Sequence, residues 1–352
     1  MKKNSLFKLS NHFILFLIIN LLFIFSPYSI LSQQNSSETF AKITFFSGNG
    51  KVIKTKVNKE YNLELNQLID KDDTIQTFKE SKVEITIIEK GTVITIYENS
   101  KLSISNILNQ YNDKTTLINL FYGKIKLIVS KLTGKEEFIV NTPTGIASVR
   151  GTEFEVAASD LGDSLIKVNE GKVEVFDDDE KYSIYTNENE STYIEFSKKP
   201  TKVDDPLIKD TDNFLNYKNI YSAQIAKIRL KLIFTFLNNL DKNLKLIEKR
   251  IDEIYNNKFF QKIIELRREG KMLGSIELGY LQTFRNILSQ INYLSFKNIY
   301  KAKILYELIN NLISKAELTE KEKNEYIKSL KNFNNNIQRI FTKLLIINKY
   351  LE

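Results

Sequence analysis

The sequence predicts an α+β protein whose strands and helices occupy separate domains. Short runs with a period of two fill the chain from about residue 33 to residue 200, and heptad spacing replaces them beyond about residue 207. Glycine starts several of the short runs and becomes rare afterwards. A period of two places alternate side chains in a core, whereas heptads form one apolar stripe along a helix.

The N-terminal half is predicted to be an all-β roll or sandwich, with an irregular solenoid as the alternative. Apolar and polar residues alternate in segments 83–87, 125–129 and 173–175. Glycine tolerates the positive φ angles that tight strand connections need. The glycines that start these runs are Gly50, Gly91, Gly123, Gly151 and Gly171. Because their spacings differ, many strands are expected but no fixed repeat.

The C-terminal half is predicted to be all-α, as an antiparallel helical bundle or hairpin of long helices. Apolar residues at alternating steps of four and three form one seam over 233–254 and another over 326–351. Such seams suit knobs-into-holes packing. Thr319 and Glu322 form a capping box in front of the second seam. The alternative is a coiled coil through which the protein self-associates.

The N-terminus is predicted to be a secretory signal peptide over residues 1–32, cut near Ser32. The apolar run Phe13–Phe25 follows three lysines: Lys2, Lys3 and Lys8. As a helix the run would span about 20 Å, which is short of the roughly 30 Å hydrocarbon core of a bilayer. The alternative is an uncleaved inner-membrane anchor over residues 13–31. In both cases the rest of the chain is expected to be periplasmic or extracellular.

Domain boundaries follow from these patterns. The β domain is predicted to cover residues 38–196 and the helical domain residues 213–352. Residues 197–212 are predicted to link them, because Pro200 and Pro206 disfavour a continuous strand or helix there.

The composition argues against most catalytic chemistry. The chain has no cysteine, which excludes disulfides, thiolate nucleophiles and cysteine-ligated metals. Its one histidine, His12, lies in the predicted signal peptide, so the mature chain lacks the commonest general base and metal ligand. We therefore predict a protein that is not an enzyme, with no catalytic residue, no cofactor and no metal.

Carboxylates leave one enzymatic alternative, a carboxylate-dependent glycoside hydrolase, because two facing acids suffice for that reaction. The acidic run Asp177–Glu180 is the obvious cluster. It is interpreted as a solvated turn, since it lacks the glycine and the distal glutamate of an EF-hand calcium loop.

Charge divides the chain as the secondary structure does. Residues 33–200 carry a net charge of −5 and residues 201–352 a net charge of +10. A basic helical half suggests an anionic envelope polymer, a lipid surface or an acidic protein as partner. The alternative is a solvated lysine surface that keeps the protein soluble. Nucleic acid is not expected, because export separates the protein from it and no recognition motif is present.

Two segments carry a resemblance to a known family. They read FIVNTPTGIASVRGTEFEVA at residues 138–157 and IKVNEGKVEVF at residues 166–176, and they resemble the core signature of the FecR domain family. Stretches that start at Asp73 and Leu117 are similar to the same family, so the resemblance covers about residues 40–180. The motif residues are Asn141, Thr142, Pro143, Arg150, Gly151, Thr152, Glu170 and Gly171.

The motif residues are interpreted as structural rather than as ligand contacts. Pro143 lacks an N–H and favours an extended Thr142, which ends a strand. Gly151 is expected at a sharp connection. Arg150 is expected to fork onto a carboxylate or onto backbone carbonyls and so tie neighbouring strands, and Glu170 is the candidate carboxylate.

The resemblance implies an extracytoplasmic β-rich domain that serves envelope signalling or protein interaction. Regulatory members of the family carry a cytoplasmic anti-sigma segment before a membrane helix. About a dozen residues precede the apolar run here, so direct control of a sigma factor is not expected. The prediction is an exported, non-enzymatic envelope protein that binds an envelope protein as a signalling scaffold. The alternative is a structural protein that binds an anionic polymer or surface.

Overall fold

The structure is a computed structural model that describes residues 39–55, 57, 59–108, 114–130, 137–149 and 151–351. Strands occupy residues 39–202 and helices residues 206–351. The predicted fold class, an all-β half followed by an all-α half, is confirmed. The predicted signal peptide, residues 1–32, lies outside the described residues.

The β half is a sandwich of two sheets. Its strands are β1 (Thr39–Ser47), β2 (Gly50–Lys54), β3 (Lys59–Asn62), β4 (Leu68–Asp70), β5 (Thr74–Thr77), β6 (Lys82–Ile87), β7 (Val93–Ile96), β8 (Lys101–Leu108), β9 (Lys114–Ile128), β10 (Glu137–Asn141), β11 (Gly145–Val149), β12 (Glu153–Ala158), β13 (Ser164–Glu170), β14 (Lys172–Asp177), β15 (Ser183–Asn187), β16 (Ser191–Ile194) and β17 (Thr201–Lys202). Sheet A has the order β4-β1-β6-β7-β9-β12-β13-β16-β17. Sheet B has the order β3-β2-β5-β8-β9-β10-β11-β14-β15.

Strand β9 belongs to both sheets. Its first part pairs with β8 and β10 in sheet B, and its last part, which begins at Gly123, pairs with β7 and β12 in sheet A. Gly123 has a φ of +96°, which side chains rarely adopt. A Cβ at this position would lie 2.4 Å from Ser100 Cα. The expectation that a strand starts at Gly123 is therefore wrong, because this glycine bends one continuous strand from sheet to sheet.

One apolar core lies between the two sheets. In β6, Val83, Ile85 and Ile87 are buried, whereas the residues between them are only partly covered. Ile43 of sheet A and Ile75 of sheet B belong to the same buried cluster. The alternation in the sequence therefore marks the inner faces of a sandwich, as predicted.

The helical half contains six helices within the described residues. They are α1 (Pro206–Lys209), α2 (Thr211–Lys218), α3 (Ala223–Tyr255), α4 (Lys258–Arg268), α5 (Ser275–Lys315) and α6 (Glu320–Leu351). The ion pairs Lys227–Glu322 and Glu248–Arg339 show that α3 and α6 run parallel. Helix α5 runs antiparallel to both, since Arg285 donates to Leu351 O at 2.6 Å while Asn292 lies near Asn348. The long helices therefore form an up-down-up bundle.

The predicted heptad seams form the core of this bundle. The seam of α3 is buried at every predicted position: Ile233, Leu237, Leu240, Leu244, Ile247, Ile251 and Ile254. The capping box is present, because Glu322 N donates to Thr319 Oγ1 at 3.2 Å and Thr319 N donates to Glu322 Oε2 at 3.0 Å. An antiparallel bundle accounts for both seams within one chain, and self-association stays a prediction.

The segment predicted as a linker, residues 197–212, contains β17, α1 and the first residues of α2. Helix α2 packs on the outer face of sheet A, where Phe214 is buried with Ala157 and Leu165. The predicted domain boundaries stay predictions. Across the described part of the chain, every helix is too short or too polar to cross a bilayer.

Gly123→Ala should destabilise the protein by about 2–4 kcal/mol, because alanine resists the positive φ and its Cβ meets the Ser100 backbone. The free energy of unfolding in urea measures the loss. Gly279→Ala is the matched control. Gly279 lies on α5 with no atom within 4 Å of an added Cβ, so alanine there should stabilise by about 1 kcal/mol. Equal effects of the two substitutions on the free energy of unfolding would contradict the role of Gly123 in bending β9 from one sheet to the other.

Acid should weaken the bundle through Glu248. Arg339 donates to both carboxylate oxygens at 2.7 and 2.8 Å, and this hydrogen bonding, against the cost of burial, lowers the pKa of Glu248 to about 2. Because the folded pKa lies below the unfolded value of 4.5, the stabilisation is present above about pH 4.5 and is lost as the pH falls toward 2. Glu248→Gln should therefore be less stable than the parent protein near neutral pH and nearly equal to it at about pH 2. A constant difference between the two unfolding free energies across that window would be the contrary result.

Candidate functional site

The predicted motif residues lie at the two ends of β11. At the first end, Thr142 closes the turn from β10. Its Oγ1 donates to Gly145 O at 2.9 Å and accepts from Gly145 N at 3.0 Å. Asn141 Nδ2 donates to Asn119 Oδ1 at 3.0 Å, and Pro143 lies within the turn. These contacts hold β10 and β11 together and tie them to β9.

At the second end, Gly151, Thr152 and Gly171 come together. Gly151 and Gly171 have φ angles of +78° and +88°. A Cβ on Gly171 would approach Thr152 Cγ2 to 2.9 Å. Glu170 ends β13 and is exposed. Arg150 lies outside the described residues, so its pairing with Glu170 and the structural interpretation of the motif stay predictions.

Polar contacts between the sandwich and the helices lie elsewhere, in a region that we call the junction. The junction comprises Asp72, Lys101, Ser105, Asp160, Asp163, Asp178, Asp179, Lys218, Arg229, Tyr300, Lys301, Lys303, Glu307, Asn311 and Lys315. Carboxylates of the sandwich and cations of the helices form most of its pairs. The opposite net charges of the two halves therefore meet inside the molecule.

Asp163 is the most deeply buried carboxylate of the junction. Its side chain is 2% exposed and lies 2.9 Å from Arg229 Nη2 and 3.5 Å from Lys218 Nζ. Tyr193 OH donates to it at 3.3 Å. Burial and the charge of Asp163 raise the pKa of Tyr193, so the phenol keeps its proton. This network ties the turn after β12 to the start of the bundle.

The acidic run Asp177–Glu180 is a turn, but the expectation that it is solvated is wrong for its first two residues. Asp177 is buried, and its Oδ1 accepts from Lys181 N at 2.7 Å and from Tyr182 N at 3.1 Å. Asp178 is 10% exposed, and Lys301 of α5 lies 3.2 Å from it. Burial raises the pKa of Asp178, and the charge of Lys301 opposes that rise.

Helix α5 also crosses the outer face of sheet B. Lys101 on β8 pairs with Glu307 at 2.9 Å, and Tyr300 OH donates to Asp72 at 3.1 Å. Between these contacts Lys303 is buried, with its ammonium 5.7 Å from the centre of the Phe121 ring. Burial lowers the pKa of Lys303. Charged groups therefore make up much of this interface.

A groove of about 470 Å³ opens beside the junction, between α3 and α5. The turn that carries Asp178 and Asp179 closes one end of the groove. Its apolar lining consists of Phe236, Leu240, Leu246, Ile247, Ile291 and Leu294. Its polar rim consists of Asn239, Asn243, Lys249, Arg250, Glu253, Asn298 and Lys301. Concave apolar surface with a few converging polar groups is typical of a binding site.

The carboxylates of the groove lie close to lysine side chains. Of its carboxylates, Asp178 and Asp179 both face Lys301, and Glu253 lies 3.9 Å from Lys249. Within the described ranges, no cluster of three or more His, Asp or Glu residues is arranged to hold a metal ion.

Part of the sandwich matches a known protein family. The family model described as FecR protein matches residues 73–174, from just before β5 to within β14. This segment is FecR-like. The resemblance predicted from the motif residues is therefore confirmed over this segment, while Asp178, the groove and the whole bundle lie beyond it.

Two crystal structures of a putative anti-sigma factor from Parabacteroides distasonis are also similar to this chain. Each has a TM-score of 0.31 and 20% sequence identity. The matched region covers 37% of this chain and 58% of that chain, which is less than two thirds of its length. Among curated proteins, none matches.

Sequence reasoning identified the FecR-like segment but missed the junction and the groove. The signal for the junction was the difference in net charge between the halves, −5 against +10. That difference was interpreted as evidence for an external anion, whereas part of it is satisfied within the molecule. The groove left no signal, because its lining combines residues of two helices with the turn that carries Asp178 and Asp179, and these segments are far apart in the sequence.

Asp163→Asn should destabilise the protein by about 3–5 kcal/mol, because it removes the counter-charge of the buried Arg229. Unfolding in urea measures this loss. Glu253→Gln breaks an exposed pair with Lys249 and should cost less than about 0.5 kcal/mol. Similar losses for the two variants would mean that the junction pair does not stabilise the assembly of the two halves.

Proposed function

We propose that this chain is an exported, non-enzymatic protein of the cell envelope that binds another envelope protein and acts as a signalling scaffold. The FecR match over residues 73–174 carries the proposal. A fold alone does not establish a function, so the proposal also needs a binding site. The groove between α3 and α5 supplies a candidate for that site.

Export is supported by the order of the N-terminal sequence. Lysines precede an apolar run that is shorter than a membrane span, and a polar segment follows it. We propose that the chain is cleaved near Ser32 and works in the periplasm or outside the cell. An inner-membrane anchor over residues 13–31 would place the same domains on the same side of the membrane.

The groove fits a partner that presents apolar anchors between polar contacts. Leu246 and Leu294 are 63% and 39% exposed, so each still has apolar surface to bury. The rim carries both signs of charge, through Arg250 and Lys249 on one side and Asp179 on another. Mixed charge favours orientation and selectivity over general attraction to an anion. We therefore favour a protein partner for the groove over an anionic polymer.

The junction gives the binding event a route to the FecR-like segment. Lys301 lines the groove and also pairs with Asp178, which follows β14. A partner that drew Lys301 away would leave a buried carboxylate without its cation, which costs free energy. Binding and the position of the β14–β15 turn are then linked in the way a signalling scaffold requires.

A photo-crosslinking amino acid at Leu246 or at Leu294 should give one discrete protein adduct in living cells, because both side chains face the groove. Mass spectrometry of the envelope fraction identifies the adduct. Ile225 is the matched control: it lies on α3 like Leu246, is 45% exposed and does not line the groove. Arg250→Glu should lower the yield at Leu246 and leave the folded protein intact.

The proposal fails if groove and control positions give the same adducts. It also fails if the protein accumulates in the cytoplasm with residues 1–32 still attached, which N-terminal sequencing of the fractionated product would reveal. Turnover of a polysaccharide by the purified mature protein would instead support the hydrolase alternative.

A further inference from the structure

The bundle ends in a region that we call the distal tip, residues 255–280. Helix α5 meets the sandwich through its C-terminal part, from Tyr300 onward. At 1.5 Å per residue, its first residue, Ser275, lies about 37 Å further along the helix axis. The end of α6 lies beside the tip, where Arg268 donates to Tyr350 OH at 3.2 Å. The distal tip is therefore the end of the bundle remote from the sandwich, and it begins two residues beyond Glu253, the last groove residue of α3.

Large apolar side chains project from the distal tip. Met272 is 95% exposed, Ile276 is 66% exposed and Leu278 is 52% exposed. Met272 lies between Gly270, whose φ is +67°, and Gly274, so a tight turn carries it away from the bundle. Single exposed apolar residues are common, but here Met272 on the turn and Ile276 in the first turn of α5 are close in sequence and both exposed, and we call them the apolar patch.

Aromatic rings and cations occupy the same region of the chain. Phe259 and Tyr280 stack with their centroids 3.8 Å apart, and both are half-buried. The region contains five cations: Lys258, Lys262, Arg267, Arg268 and Lys271. It contains three carboxylates: Glu265, Glu269 and Glu277. Its net charge is therefore +2, and of its aromatic residues tyrosine is a type enriched at the boundary between water and lipid.

The cations of the distal tip remain accessible to an external anion. Lys262 pairs with Glu265 and Lys271 with Glu269, each at 2.8 Å, but all four side chains are substantially exposed. Exposed pairs of this kind are weak and exchange readily with other partners. Lys258 is exposed as well. The cations of the junction differ, because carboxylates of the sandwich hold them in a largely buried interface.

We propose that the distal tip binds the surface of an anionic lipid bilayer, with Met272 and Ile276 in the interfacial layer. Lys258, Arg267 and Lys271 would then contact lipid phosphates around them. A short apolar projection with flanking cations matches such a surface in shape and in charge. Two apolar side chains give weak and reversible attachment, which a few cations strengthen on anionic lipid.

The shape of the distal tip favours lipid over a protein partner. Met272 stands on a convex turn, and an added Cβ at Gly270 would have no atom within 4 Å. A protein would need a complementary pocket, whereas a fluid bilayer accepts a convex apolar projection without one. The groove, which is concave and mixed in charge, is the better site for a protein. The inference is independent of the function proposed for the groove.

Vesicles test the inference directly. The purified mature protein should co-sediment with vesicles of phosphatidylethanolamine and phosphatidylglycerol, and more weakly with phosphatidylcholine vesicles or at high salt. Met272→Ser with Ile276→Ser should weaken binding to the anionic vesicles at least about tenfold, because the inserted apolar surface is lost. Lys258→Glu with Arg267→Glu should weaken it only on anionic lipid.

A matched control and a spectroscopic signal separate insertion from adsorption. Ile220→Ser changes an 83% exposed side chain between α2 and α3, near the sandwich, and should leave binding unchanged. Met272→Trp introduces the first tryptophan of the chain, and its emission should shift to the blue on anionic vesicles. Equal binding of the Ser double variant, equal binding to phosphatidylcholine or an unshifted emission would overturn the inference. The inference would also be overturned if the protein bound no vesicles but formed a dimer that the Ser double variant lost, because the exposed apolar residues would then serve self-association.

Discussion

Pairing of buried charges at the junction is the constraint on which the arrangement of the two halves depends. Asp163 and Asp178 leave water when the sandwich and the bundle meet, and each would be costly without a cation. Arg229 and Lys301 supply those cations at 2.9 and 3.2 Å. Since the two cations stand on different helices, α3 and α5, both pairs form together only when the bundle as a whole is correctly placed on the sandwich.

The junction also connects the FecR-like segment to the helical bundle. Thr142 closes the turn before β11, Gly171 lies close to Thr152 after it, and β11 pairs along its whole length with β14. Strand β14 leads directly into the turn that carries Asp178, which α5 engages through Lys301. The turn is thus shared between a rigid sheet and the wall of the groove. The coupling proposed between the groove and the FecR-like segment would therefore pass through one pair of strands, β11 and β14.

Local periodicity predicted most of the fold because it records which face of an element is buried. The seam of α3 and the capping box at Thr319 needed no knowledge of distant residues. Gly123 was misassigned, since a glycine at a strand start and one at a bend look alike until Ser100 is placed beside it. The junction was missed for the same reason. Lys101 and Glu307, for example, are 206 positions apart, and no local pattern identifies such a pair.

Net charge describes the helical half poorly because its cations serve two purposes along the length of the bundle. Near the sandwich, carboxylates of the other half pair with Arg229, Lys301 and Lys315. The charges of these three side chains therefore stabilise the contact between the two halves. At the distal tip, about 37 Å away along α5, the cations form only exposed pairs and surround apolar side chains. Positive charge that can act on an external anion therefore lies on the exposed faces of the bundle, and at the distal tip it occurs together with exposed apolar side chains. The protein partner proposed for the groove and the lipid surface proposed for the distal tip would therefore contact different residues of the bundle.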